Sequence, residues 1–207
     1  MKSNFLSTAP ALPGGRRRSR GLFLDRWGTL LELPGESFGF RADELQFIPG
    51  AIDALFRAHR AGWYLYLIGN EDAVAEGRQS DASWGRMQEA ITEELSSLGV
   101  RLRRFYACLD SPGGRGVHRR DSVFLLPNTG CFYQAAHMDG VVLGESWVIG
   151  DSTLELVAGW RAGLRLAGVE TGLGLRDGQF HVEPEVVAPD LPTALSLLLD
   201  SEGALSA

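Results

Sequence analysis

The chain has 207 residues, 44% of them apolar and 22% charged, with a formal net charge of −6. That is enough chain for one α/β domain with a real core, and the acidic balance argues against a general nucleic-acid or membrane-surface binder. No apolar run approaches the ~20 residues of a membrane span, and two cysteines, Cys108 and Cys131, are too few for a disulfide scaffold and fit a reducing cytoplasm.

Residues 1–19, rich in Ser, Pro, Gly and Arg, read as a disordered leader, with residues 20–207 as a single domain. Polar residues and Pro10 interrupt the N-terminus, so it does not form the apolar core of a secretion signal. Arg16-Arg17-Arg18-Ser19-Arg20 reads as a solvated basic tail. Gly21-Leu22-Phe23-Leu24 is a buried strand that runs into Asp25 and a Gly28-Thr29 turn. Pro49-Gly50 opens a helix with Ile52, Leu55 and Phe56 on one face, ending at Gly62. Trp63–Ile68 is a strand closed by Gly69-Asn70.

Asp81 is placed to cap the next helix, whose Trp84, Met87, Ile91, Leu95 and Leu98 recur at three- and four-residue spacing until Gly99. Arg103–Cys108 predicts a strand, Ser111–Arg120 a Gly- and Arg-rich loop, and Thr129–Met138 a helix. Ser146–Ile149 predicts a strand ending in Gly150-Asp151. Leu154–Arg161 is helical, Leu164–Val169 a strand and Leu191–Leu199 a last helix. Repeated strand–helix alternation implies a Rossmann-like parallel sheet with helices on both faces and little or no cap domain. Ligands of such sheets bind beyond the C-terminal strand ends. Asp25, Asn70, Cys108 and Asp151 all fall there and are expected to converge.

Two carboxylates at neighbouring strand ends can share a Mg²⁺, a hard cation that takes oxygen ligands. A carboxylate held there can also attack phosphorus. The alternatives for both are ordinary: Asp25 can cap its own turn, and Asp151 can mark a helix start, with Ser152-x-x-Glu155 as a capping box. The single lysine is Lys2, so no core site can use one.

The stretches Leu24-Asp25-Arg26-x-Gly28-Thr29-Leu30, Phe47-Ile48-Pro49-Gly50-Ala51 and Asn70-x-x-x-Val74-Ala75-x-Gly77 occur in that order. Gln134-Ala135-Ala136 and Gly150-Asp151-x-x-x-Glu155-x-x-Ala158-Gly159 follow. Together they resemble the haloacid dehalogenase (HAD) superfamily, in its heptose 1,7-bisphosphate phosphatase and histidinol-phosphatase group. The resemblance implies Asp25 as nucleophile and Asp25, the Trp27 carbonyl and Asp151 as Mg²⁺ ligands.

It also implies departures. Trp27 stands where the family has its acid/base aspartate, as a plug for a vacated pocket or a stacking platform. Gly69 stands for a phosphate-binding Thr, Leu126 for the phosphate-binding Lys and Glu155 for a final Asp. Of the zinc ligands only Cys108 remains, with Asp110, Ser122 and Phe124 at the others, so no zinc is expected. The expected partner is a phosphorylated small molecule, bound with weak or no hydrolysis. The candidate binding residues are Arg26, Trp27, Asn70, Arg119 and Arg120. Two alternatives stand beside this: an active Mg²⁺-dependent phosphomonoesterase in which arginine replaces the missing lysine, and a non-catalytic interaction protein.

Overall fold

The computed structural model describes residues 19–33 and 45–205, so the expected leader, apart from Ser19, lies outside the described residues. Six parallel strands form one sheet in the order β3-β2-β1-β4-β5-β6. They are β1 (Gly21–Asp25), β2 (Tyr64–Asn70), β3 (Leu102–Cys108), β4 (Trp147–Gly150), β5 (Arg165–Val169) and β6 (Val186–Ala188). The helices are α1 (Ala51–Arg60), α2 (Asp72–Ala75), α3 (Asp81–Ser97), α4 (Gly130–Asp139), α5 (Thr153–Ala162) and α6 (Leu191–Leu205).

The central strands are buried on both faces, so their side chains split by parity into two cores. Leu22, Leu24, Leu65 and Leu67 point to the face covered by α1, α3 and α6, where Leu55, Ile91 and Leu195 meet them. Phe23, Tyr66, Ile68 and Val148 point to the opposite face, packed under α4 and α5 by Phe132, Ala135, Leu156 and Ala158. Gly159 is required in α5: a Cβ there would lie 2.2 Å from Val148.

The expected elements are found, with shifts at their ends. The last helix is longer than Leu191–Leu199, and β6 and the four-residue α2 were not anticipated. Three residues carry too little periodic pattern to read as a strand. The cap of α3 is Ser80, not Asp81: the Ser80 hydroxyl accepts from the Ser83 N–H at 3.2 Å. Asp81 is the first helical residue and its carboxylate pairs with His118 instead. Among the described residues no helix is long and apolar enough to cross a membrane.

Candidate active site

Strand order reverses direction between β1 and β4, the place where open α/β sheets bind ligands. Asp25 ends β1 and Asp151 follows β4 on either side of that point. One carboxylate oxygen each from Asp25, Asp151 and Glu155 lies within 4.8 Å of the others. Asp151 is held from several directions. Its Oδ2 accepts from the Leu173 N–H at 2.7 Å, and its Oδ1 accepts from the Thr29 hydroxyl at 3.3 Å. Its backbone carbonyl accepts from the Leu175 N–H at 2.7 Å.

Two glycines with left-handed backbone close around that carboxylate. A Cβ on Gly28 (φ 81°) or Gly172 (φ 60°) would lie 2.2 or 2.1 Å from Asp151 Oδ2, so neither position tolerates a side chain. Glu155 forms the anticipated capping box, accepting from the Ser152 backbone N–H at 2.6 Å and from its hydroxyl. The glutamate folds back beneath Gly150, where a Cβ would lie 2.2 Å from it. Asp177 reaches in to accept from the Thr153 N–H and hydroxyl at 2.8 and 2.6 Å, tying the loop after β5 to the start of α5.

Burial and neighbouring carboxylates disturb all three carboxyls. Burial raises Asp25 well above the carboxylate range, with Glu155 and Asp151 adding to it and the Arg26 guanidinium opposing. Burial also raises Asp151, against the Leu173 N–H and Thr29 bonds, and pushes Glu155 up to about 7. A divalent cation would relieve this repulsion, and an all-oxygen donor set suits Mg²⁺ rather than a softer metal. The residues fit that ion.

The β2 side is built differently. Arg26 is wholly buried, and its Nη2 forms an ion pair with Glu71. Its guanidinium lies over the rings of Trp84 and Phe105, 5.3 and 5.4 Å from their centroids. Burial pushes Glu71 up to about 7, against the pull of Arg26 and a hydrogen bond from the Trp27 indole. Trp27 is half-buried, packs against the larger core and is fastened to Glu71. Asn70 brackets Leu126: its Oδ1 accepts from the Leu126 N–H at 2.8 Å and its Nδ2 donates to the Leu126 carbonyl at 3.0 Å. The Leu126 side chain itself is core.

This architecture has known relatives. The HAD-hydrolase-like family model matches residues 126–194. The D-glycero-D-manno-heptose-1,7-bisphosphate 7-phosphatase of Thermosynechococcus vestitus is 31% identical over 186 residues, covering 84% of this chain and 92% of that protein. The D-glycero-beta-D-manno-heptose-1,7-bisphosphate 7-phosphatase of Pasteurella multocida is 30% identical over 140 residues, covering 68% and 75%. The chain belongs to the haloacid dehalogenase superfamily. Within it, the chain is a homologue of the heptose bisphosphate phosphatases. The D,D-heptose 1,7-bisphosphate phosphatase of B. bronchiseptica, solved with magnesium and phosphate, superposes with a TM-score of 0.76 at 25% identity. That match covers 88% of this chain and 99% of the other.

As an HAD protein the chain brings Asp25, Trp27 and Asp151 to one end of the sheet, with Arg26 and Asn70 beside them. Cys108 is buried at the end of β3, next to Asn70 in register, and its thiol donates to the Asp110 carbonyl. Arg119 and Arg120 are both exposed, and Arg120 is paired with Asp110 at 2.8 Å. His118 is a bridge in the same loop: Nδ1 is 3.1 Å from Asp110 and Nε2 is 2.9 Å from Asp81. The residues missed were Gly172, Leu173, Asp177 and Glu71. The first three lie in a glycine-rich loop without periodicity. Glu71 had a usable signal, a charged residue directly after a buried strand end.

Proposed function

We propose that this protein binds a phosphorylated sugar together with Mg²⁺ at the Asp25–Asp151 end of the sheet and hydrolyses it slowly. Mg²⁺ would be held by Asp25, the Trp27 carbonyl and Asp151, where it would offset charge on the phosphoryl oxygens. Asp25 is the nucleophile: it is partly exposed and sits at the strand end where an ester phosphate would be met in line. Asp151 is an acceptor fixed by Leu173 and Thr29. Asn70 contributes through the backbone of residue 126, which its amide orients, and Arg119 and Arg120 reach the sugar only if their loop turns inward.

The observation that carries the slow rate is Trp27 itself, an indole half-buried against the larger core at the position where the resemblance puts the family's acid/base. An indole N–H cannot protonate a leaving alkoxide or take a proton from water at neutral pH, and losing such help costs about 10²–10⁴ in rate. The sugar-phosphate class is supported by the relatives, which are heptose bisphosphate phosphatases by name.

The test is phosphate release from heptose 1,7-bisphosphate by the full chain with Mg²⁺, alongside Asp25→Asn. Slow turnover abolished by that substitution is expected, with the bisphosphate bound by both proteins. Turnover at the ordinary rate of a phosphatase, lost in Asp25→Asn, would overturn the slow-hydrolysis reading. Failure of the wild-type chain to bind either Mg²⁺ or the bisphosphate would overturn the ligand reading.

A further inference from the structure

We propose that the free edge of β3 is a docking site for an acidic segment of another protein, which adds to the sheet as an extended strand alongside residues 103–107.

The first observation is an open edge. β3 is an outermost strand, seven residues long, and its outer side pairs with no strand among the described residues. The Cys108 carbonyl accepts from the Glu71 N–H at 2.8 Å, on the β2 side. Backbone polar groups alternate sides along a strand, so those of Arg104 and Tyr106 also face β2, and those of Phe105 and Ala107 face outward. No hydrogen bond reaches these outward groups among the described residues. Such a row of N–H and C=O groups is a template for another strand. The irregularity in the pairing of β3 lies opposite Leu65 and Tyr66, so residues 104–108 run in regular register. The opposite edge of the sheet is closed to the same use. There β6 has three residues, bracketed by Pro184 and Pro189, too few for a ladder.

The second observation is room beside the strand. A groove of about 510 Å³ is lined by residues 103–107 together with Phe124 and Gln134. The Phe124 ring stacks on Tyr106 with 6.0 Å between centroids. An added strand turns every second side chain to one face, and the aromatic pair gives those side chains a surface to cover.

The third observation is charge, which selects the occupant. Residues 101–109 hold three arginines, Arg101, Arg103 and Arg104, and no acidic residue. Arg103 and Arg104 both pair with the one buried carboxylate of Asp139, and Arg101 is exposed. Two cations on one carboxylate leave a surplus positive charge, although the whole chain carries −6. A second copy pairing edge to edge would set these arginines against themselves, which is unfavourable in facing strands. An acidic strand would meet the surplus charge instead.

Fluorescence anisotropy tests this with the full chain and a labelled eight-residue peptide that alternates glutamate and threonine, with both ends blocked. Saturable binding that weakens with added salt is expected, and the matched peptide with lysine for glutamate should not bind. Ala107→Pro removes one outward donor at an edge position, where proline is tolerated, and should weaken the acidic peptide at least about tenfold. Arg101→Gln combined with Arg103→Gln leaves Arg104 on Asp139 and should weaken the peptide while flattening its salt dependence. In the wild-type chain, amide hydrogen exchange at Phe105 and Ala107 should slow when the acidic peptide is added. The inference is overturned if the acidic peptide does not bind, or if the lysine peptide binds equally well. It is also overturned if Ala107→Pro melts cooperatively and binds as tightly as the wild type, or if exchange at Phe105 and Ala107 is unchanged by the peptide. Wild-type chain that sediments as a dimer, and as a monomer in Ala107→Pro, would give the edge to a second copy and overturn it as well.

Discussion

The two sides of the strand-order reversal differ in what lines them. On the β4–β5 side, both carboxylate oxygens and the backbone carbonyl of Asp151 have a defined donor, and three glycines, Gly28, Gly150 and Gly172, are spaced so that only a hydrogen atom fits. The β1–β2 side is lined by core chemistry. Leu126 is apolar core, and Arg26 is enclosed by Glu71, Trp84 and Phe105. The difference teaches that holding a cation and processing an ester are separable demands. Cation binding needs a few oxygens in fixed places, whereas hydrolysis needs a proton donor that can leave and return.

The contrast can be broken most forcefully by Trp27→Asp. If the missing proton donor is what limits the β1–β2 side, phosphate release from a sugar phosphate should rise by about 10²–10⁴. A steady-state assay showing no gain would mean that more than the acid has been lost. Next in size is Gly172→Ala, whose Cβ would lie 2.1 Å from Asp151 Oδ2 and 2.6 Å from the Gly28 Cα. Overpacking of this kind costs about 1–3 kcal/mol, and Mg²⁺ affinity should fall with stability. An unchanged Mg²⁺ isotherm would show that the glycine packing does not position Asp151.

A polar cluster around the buried Asp139 carboxylate, made of none of the site's residues, sharpens the comparison. The Asp139 carboxylate receives Arg103 at 2.9 Å, Arg104 at 2.9 and 3.0 Å, and the Tyr66 hydroxyl at 3.1 Å. Asp139→Ala leaves the Tyr66 hydroxyl buried without its acceptor and should cost about 1–3 kcal/mol in urea unfolding. Phosphate and Mg²⁺ binding should not change, and a loss of either would link this cluster to the site.

The smallest effect concerns pH. Hydrogen bonds from Asp81 and Asp110 raise the His118 imidazole above its ordinary value. Because both neighbours only accept, the bridging imidazole holds a proton on each nitrogen. Its folded value is above its unfolded one. Its stabilisation is therefore complete below the unfolded value, about 6.5, and is lost as pH rises through the folded value. Asp139 runs the other way: three donors hold it low, so its contribution is present above the unfolded value and lost as pH falls through the folded one. Urea midpoints measured on either side of neutrality should therefore show a decline at alkaline pH that His118→Gln abolishes. A decline of equal size in that variant would place its origin elsewhere.

Much of this was legible in the sequence. Strand–helix alternation pointed to the fold class, the placement of Asp25 and Asp151 just at or after apolar strands pointed to their meeting at one sheet end, and the Ser152-x-x-Glu155 spacing located the capping box. Less legible was what each departure does. Trp27 read as a plug or a platform, and its bond to Glu71 depends on a partner 44 positions away. Asp81 read as a cap, but Ser80 takes that role and frees Asp81 for His118.

The sequence by itself determined the parallel sheet, the order of its elements and the carboxylates at its edge. These follow from local periodicity and from glycines at turns, which act over a few residues. Only the tertiary structure decided that Arg26 is buried with an unpaired donor, that Gly69 packs against Arg26 and Asp25, and that Gly172 closes on Asp151. Those facts depend on which segments meet across the sheet, and such contacts leave no period in the chain.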